Sequence, residues 1–380
     1  MTVATDTPPT TSVPTGREEA WRFTPLARLR GLHVEIVDPI APDVTVELAP
    51  EVRWDVVPTA SLELSERALD RTSLLARAAS PSSGVLTIPR DAVASSTSVV
   101  RLTGGGTDRA CAGNLVIEAE AFSAATVVVV HEGSATMCGN IEVRVGDGAA
   151  LTLLCVQDWQ RDTVHAGRVH AVLGRDSRYR SFVATFGGDV VRLVPTVEYT
   201  APGGDAELFG VFYADAGQHL EHRSLVDHTA PHCRSNVLYK GALAGDPAAG
   251  ESGVAHTVWV GDVIIRAAAV GTDTYELNRN LVLTDAGRAD SVPNLEIETG
   301  EIVGAGHASA TGRFDDEQLF YLQSRGIPAD VATRLVVRGF FAEVINRVGL
   351  PQWESLLQDR IDTELGFEAS DATADEEGDA

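Results

Sequence analysis

Lysine is nearly absent. Of the 30 basic residues only Lys240 is a lysine, and 54 acidic residues leave a formal charge of −24. Such an excess repels a phosphate backbone unless a local basic stripe offsets it, and the sequence has none, so nucleic acid is not an expected partner. The run Gly104-Gly105-Gly106 is followed by Thr107-Asp108 instead of Lys-Ser/Thr, which excludes a P-loop. If ATP matters to this protein, another subunit is expected to bind it. No stretch approaches about eighteen consecutive apolar residues, and the first residues carry neither a basic start nor an apolar run. Neither a membrane span nor a secretory signal is therefore expected, and the cytoplasm is the expected compartment. The four cysteines, Cys111, Cys138, Cys155 and Cys233, form no CxxC pair, so reduced thiols are the simplest reading.

What the chain does have is 380 residues with 44% hydrophobic side chains, enough for a sizeable core. Residues 1–16 are polar and Pro-containing and read as a disordered leader; residues 17–83 read as an N-terminal α/extended region. Within that region Glu18–Leu26 predicts a short helix ended at Pro25, and Ser61–Ala79 predicts a longer helix. From 84 to 312 the pattern becomes β-branched runs separated by Gly, Asp, Asn and Pro, the mark of many short strands. In Ile141–Val145 the period is two, which directs Ile141, Val143 and Val145 to one face and Glu142 and Arg144 to water. Similar runs recur at 115–121, 126–130, 151–156, 169–173, 190–194, 258–265, 281–283 and 295–297. So many strands suit the stacked coils of a β-solenoid, while their uneven spacing leaves a β-sandwich or double barrel open. Helix returns over 313–366: Asp315 can cap 316–324, Pro328 opens a segment to Val348 with Val337, Phe341, Val344, Ile345 and Val348 on one face, and Trp353–Leu365 forms a third. The acidic residues 367–380 read as a solvated, disordered tail.

The densest set of metal-capable groups is His219, His222, Asp227, His228, His232 and Cys233. Their spacing matches no standard ligand pattern, and a strand would divide them between two faces, so surface and turn histidines with a packed Cys233 are the plainer reading. His307 lies among small residues in Gly304–Gly312, read as a loop between the strands and the helical segments, where an imidazole is accessible. Cys155 sits in an apolar strand and reads as inert core. Glu118 with Glu120, and Glu296 with Glu298, have the two-residue spacing that polysaccharide-cleaving solenoids use for acid/base work, as well as that of any solvated strand face.

Several stretches then become familiar. Asn280-Leu281-Val282-Leu283-Thr284, Pro293-Asn294-Leu295-Glu296-Ile297, His307 with its glycines, the block from Asp315 through Leu319-Phe320-Tyr321-Leu322-Gln323-Ser324-Arg325-Gly326-Ile327, and Gly339-Phe340 resemble, in that order, the SufB/SufD family of iron–sulfur cluster assembly proteins. Weaker matches are Asp227-His228 with Pro231, Cys233 and Ser235, then Tyr239-Lys240-Gly241, and Trp21–Leu26. Length and order look most like the SufD members. The resemblance implies a mainly β protein, a right-handed parallel β-helix flanked by N- and C-terminal helical parts. It implies a non-catalytic scaffold paired with a SufB-like subunit, with a SufC-like ATPase docked on the C-terminal helices, and a homodimer stays open when the partner is missing. It further implies a transient iron–sulfur cluster at the subunit interface, no stable cofactor in the isolated chain, and His307 as an iron or cluster ligand. Phe320, Tyr321, Arg325, Phe340 and Phe341 are the expected ATPase-facing residues. Many family members have Cys-Ser-His where this chain has Ala305-Gly306-His307, so the thiol is expected from the partner. The rival expectation is a β-solenoid carbohydrate lyase or hydrolase using Glu296 and Glu298, which the low aromatic content of 6% disfavours.

Overall fold

The computed structural model describes residues 12–67, 69–313 and 316–366. They divide into two units, one ending at Gly312 and one beginning at Arg313.

The first unit is a β-solenoid. Strands alternate between two nine-stranded sheets, so that each coil gives one strand to either sheet. Within the first sheet, register pairing runs from Ser82–Ile88 through Gly106–Ala119, Ala135–Val145, Val164–Leu173, Val190–Tyr199, His219–His228 and Ala255–Ile265 to Gly287–Ile297, in parallel throughout. Two antiparallel strands, Asp43–Glu47 and Arg53–Pro58, close the N-terminal edges. The period-two pattern explains the core. Leu86, Ile117, Val143, Ala171, Val197, Val226, Val263 and Leu295 stand in register one above another and all point inward. Fully burying a valine of such a ladder contributes roughly 1.5–3 kcal/mol, which is what stacks the coils. The turns are tight: Gly187 has φ +76°, and a Cβ there would sit 2.0 Å from the Trp159 carbonyl oxygen, so only glycine fits. Coil length varies because a 3₁₀ segment, Pro247–Gly253, is inserted between two strands, which hides the repeat.

Several expectations need correction. Glu18–Leu26 forms successive turns and a 3₁₀ segment, Leu26–Arg28, in place of a helix. Within the expected leader, Pro14 is buried and the Thr15 and Gly16 amides donate to the Glu18 carboxylate; residues 1–11 and the tail 367–380 lie outside the described residues. The expected helix over 61–79 shortens to α1, Arg71–Ala79, because Asp70 caps it by accepting from the Ser73 amide at 2.9 Å. The residues before it cross the first sheet in extended form. There the Ser65 amide donates to Glu142, so Glu142 is buried instead of facing water.

The N-terminal segment grips the outward face of the same sheet. Trp21 covers the Arg192 guanidinium at 4.1 Å, Thr24 donates to Glu221 at 2.8 Å, and Arg192 also pairs with Asp70. Burial alone would raise the Glu221 carboxyl, yet its hydrogen bond from His219 and the charges of Arg192 and Arg223 outweigh that and hold it down to about 2.

The second unit contains α2, Asp316–Ser324, α3, Ala329–Ile345, and α4, Pro351–Glu364. The expected Asp315 cap lies outside the described residues. Pro328 precedes α3 and Pro351 opens α4, the position where a missing N–H is harmless. Val337, Phe341, Val344 and Ile345 form the buried face of α3, and Asp362 of α4 accepts from Arg334 at 2.8 Å and from Arg338 at 3.2 Å.

Candidate functional site

Toward the C-terminal end of the solenoid the interior row becomes more polar. On the strand Asp273–Val282 the inward row reads Thr274, Glu276, Asn278, Asn280, Val282, whereas the preceding coil presents Ser235, Val237, Tyr239, Gly241 and Leu243 at the same positions. Asn280 donates to Asn278 at 2.8 Å and to Ser291 at 2.9 Å, Ser291 donates to Asn278 at 2.6 Å, and Asn278 donates to the Tyr239 carbonyl at 3.2 Å, so these polar groups have partners. Glu276 differs. Its side chain is 1% exposed and neither carboxylate oxygen has a hydrogen-bond partner. Burial, reinforced by the nearby Asp262 carboxylate and only partly opposed by the Asn294 backbone N–H, pushes its pKa up to about 8.

His307 lies beside it. It belongs to a strand, Gly304–Arg313, and not to a loop, which corrects the expectation: pairing with the neighbouring strand defines this element, while its glycines and alanines carry little β propensity. Its Nδ1 is 3.8 Å from Glu276 Oε1, and the ring is 42% exposed. The strands Gly287–Ile297 and Gly304–Arg313 terminate the two sheets, and among the described residues no further strand pairs with them. Exposed Tyr275, Ile297 and Val303 lie at this end. An unpaired strand edge leaves backbone N–H and C=O groups on which a further strand can pair.

The ligand atoms of one divalent metal ion, at about 2.0–2.2 Å from it, stand roughly 3–3.5 Å apart, so this imidazole and carboxylate, at 3.8 Å, would share an ion only by closing together slightly. Two ligands do not complete a site, and among the described residues no group of three or more His, Cys, Asp or Glu side chains is placed to hold a metal. No thiol completes it either. All four cysteines are buried, and burial raises Cys111 to about 11, Cys155 to about 12, and Cys138 and Cys233 above the usual thiol value.

The histidine-rich stretch does not converge. His219 and Asp227 face outward on the strand His219–His228, His222 and His228 face inward, and His232 occupies the following turn with φ +58°. The reading of surface and turn histidines thus fails for His219, which is buried on the outward face of the sheet, and for His222 and His228. His222 and His228 are interior rings stacked on Phe212 and Tyr199, with hydrogen bonds to Thr185 and Ser235 at 2.9 Å, and burial lowers both to about 3. Cys233 and Cys155 are packed core groups. Glu298 is engaged by Arg266 and the Ala267 amide, and one Glu296 oxygen is buried, so this pair forms no open acid/base couple. On the helical unit Phe320 is 72% and Tyr321 56% exposed, with Arg325 5.1 Å over the Tyr321 ring and Phe340 half-buried. Phe341 is fully buried on the inner face of α3 and is therefore removed from the expected surface set.

Glu276, Asn278 and Ser291 were not singled out from sequence. Their signal was a polar residue at every second position of a strand whose inward frame only the ladder reveals.

A model of the SufBD core domain of the SUF iron–sulfur cluster assembly system matches residues 101–340. The chain belongs to the SufBD family. It is 52% identical over 356 residues to an iron–sulfur cluster assembly SufBD family protein of Mycobacterium bovis, covering 93% of this chain and 89% of the relative. It is 50% identical over 365 residues to one from Mycobacterium leprae, covering 95% and 93%. The iron–sulfur cluster assembly protein SufD of Bacillus subtilis is 29% identical over 248 residues, covering 63% of this chain and 54% of that protein. The matched SufBD core includes Glu276, His307, Phe320, Tyr321, Arg325 and Phe340. Among its described residues, this SufBD protein has no helix long and apolar enough to cross a membrane.

Proposed function

We propose that this SufBD protein is the SufD-like scaffold subunit of a cytoplasmic SufB–SufC–SufD complex, and that it performs no bond-making chemistry of its own. The observation that carries the reading is the His307–Glu276 pair, an accessible imidazole over a buried carboxylate without partners, at the end where both sheets terminate. Iron is the substrate. His307 and Glu276 hold Fe²⁺ from this side, and a SufB-like subunit seated on the free strand edges supplies the thiolate on which sulfur arrives. A mixed set of nitrogen, oxygen and sulfur donors divided between two chains binds a nascent cluster and can release it.

The missing P-loop and the buried thiols support this division of labour, since ATP hydrolysis and sulfur acceptance then belong to partners. Exposed Phe320 and Tyr321, with Arg325 and Phe340, form the surface that a SufC-like ATPase grips. Aromatic and arginine side chains are the residues that most often dominate such interfaces. The cluster is transient, and the isolated chain keeps no cofactor.

Co-expression of the tagged chain with its SufB-like and SufC-like partners tests the scaffold role. Elution of all three together is expected, with Phe320→Ala/Tyr321→Ala losing the ATPase but keeping the SufB-like subunit. Elution of the tagged chain alone would contradict the proposal.

A further inference from the structure

Far from His307, three glycines stand in register on successive coils of the first sheet: Gly113, Gly139 and Gly167. They occupy the inward row, two residues before Leu115, Ile141 and Val169 of the core. None has a positive φ, so the backbone does not demand glycine at these positions. Gly167 makes room for the His165 ring, which a Cβ would meet at 2.9 Å. At Gly139, however, a Cβ would meet nothing nearer than Met137 Cε at 3.3 Å and His165 Nε2 at 3.7 Å. The absent side chains leave a cavity of about 200 Å³ between the sheets, with exposed Val44 and Val56 in its outer part.

The polar part of its lining fixes what it can recognise. Gln157 Nε2 lies 3.0 Å from His131 Nδ1, and as an amide N–H it donates, so that ring nitrogen is the acceptor. Trp159 Nε1–H is 2.8 Å from Gln157 Oε1 and only 3.3 Å from His165 Nδ1, so it donates chiefly to the carbonyl; that oxygen, which only accepts, is also 2.8 Å from His165 Nδ1, so His165 carries its proton on Nδ1. His165 Nε2 is then a lone-pair acceptor, fully buried and without a partner, next to the space that Gly139 leaves open. Elsewhere the walls include Leu115, Met137, Ile141 and Leu193. Burial keeps both imidazoles uncharged, lowering His131 to about 4 and His165 well below its usual value, so neither attracts an anion.

We propose that this cavity is a binding site for a small, uncharged, mostly apolar molecule with one hydroxyl, a phenol or a short-chain alcohol, whose hydroxyl donates to His165 Nε2. The volume exceeds that of a cavity known to hold one benzene-sized molecule, about 150 Å³. Asn114, Asn140 and Arg168 also border it, but they alternate with the inward residues along their strands and direct their side chains to the other face of the sheet, where Asn140 donates to the Ser73 carbonyl. The site is independent of the cluster-assembly reading and uses none of its residues.

Fluorine NMR on the full-length chain, with 4-fluorophenol and 4-fluorotoluene as probes, tests it. Saturable binding of the phenol about tenfold tighter than the toluene is expected, the preference that one buried hydrogen bond supplies. His165→Phe should erase that preference, and Gly139→Leu should abolish binding of both probes. Should Gly139→Leu fail to fold, Gly139→Ala is expected to weaken phenol binding several-fold. Absence of saturable binding to the wild-type chain, meaning a cavity that holds water only, overturns the proposal, as does undiminished binding in the folded glycine variant.

Discussion

Nδ1 of His307 stands 3.8 Å from Oε1 of Glu276, and no side chain of the described residues donates a hydrogen bond to that carboxylate, which has only the Asn294 backbone N–H near it. Glu221, equally buried, is served by Thr24, His219 and Arg223. The same side chain thus has two fates. Glu221 is a structural anion whose counter-charges are all in place, whereas Glu276 is left open toward the end of the solenoid. Removing water from a charge without replacing its partners is destabilising, which is why burial drives the Glu276 carboxyl toward its neutral form; on the proposed reading, incoming iron would be the partner that ionises it.

Glu276→Gln should therefore stabilise the isolated chain while weakening its hold on iron. Removing an unpartnered buried acid is expected to raise stability at pH 8 by on the order of 1–3 kcal/mol, read from urea midpoints. Fe²⁺ retained by the complex should fall in the same variant. A merely structural glutamate would instead lose stability on this substitution.

Glu221 predicts the opposite pH behaviour. Its folded-state pKa is lowered from 4.5 to about 2, so its contribution is fully present above pH 4.5 and is lost as pH falls toward 2. The difference is worth roughly 3 kcal/mol. Thr24, His219, Arg192 and Arg223 are the groups that face it, so the N-terminal segment should detach first, reported by Trp21 fluorescence. Glu221→Gln should flatten that acid transition, and an unchanged transition would refute the assignment.

The thiols should be silent. With all four buried and raised above the ordinary value, native protein at pH 8 should take up essentially no iodoacetamide within minutes, while urea-unfolded protein takes up four equivalents, counted by mass spectrometry. Rapid native labelling of any one would mean that this chain can accept sulfur itself.

In the helical unit, Asp362 is 3% exposed and holds both Arg334 and Arg338. Asp362→Ala leaves two guanidinium groups without their shared acceptor. Because the arginines are partly solvated, the expected loss is about 1–3 kcal/mol, and hydrogen exchange should accelerate first in α4. Protection unchanged across α3 and α4 would contradict this.

Much of the fold was legible because strand and helix periods are local. Ile141, Val143 and Val145 announced their inward face, and Val337, Phe341, Val344 and Ile345 announced theirs. What escaped depended on distant chain. Glu142 reads as solvated until Ser65 is laid across it, and the helix expected from Ser61 begins only where Asp70 finds the Ser73 amide. His307 was visible as a residue but not as part of a strand, since Gly304–Arg313 takes its conformation from the neighbouring coil. Glu276 was invisible as a site. Nothing local says which face of Asp273–Val282 is interior, and that frame is set by register with Arg234–Ala244.

Whether His307 holds iron at a subunit boundary is read from the iron and acid-labile sulfide per co-purified three-subunit complex, wild type against His307→Ala. The variant is expected to assemble with unchanged subunit ratios yet lose most of its cluster and the visible absorption that accompanies it. Full cluster content in an intact His307→Ala complex would contradict the account.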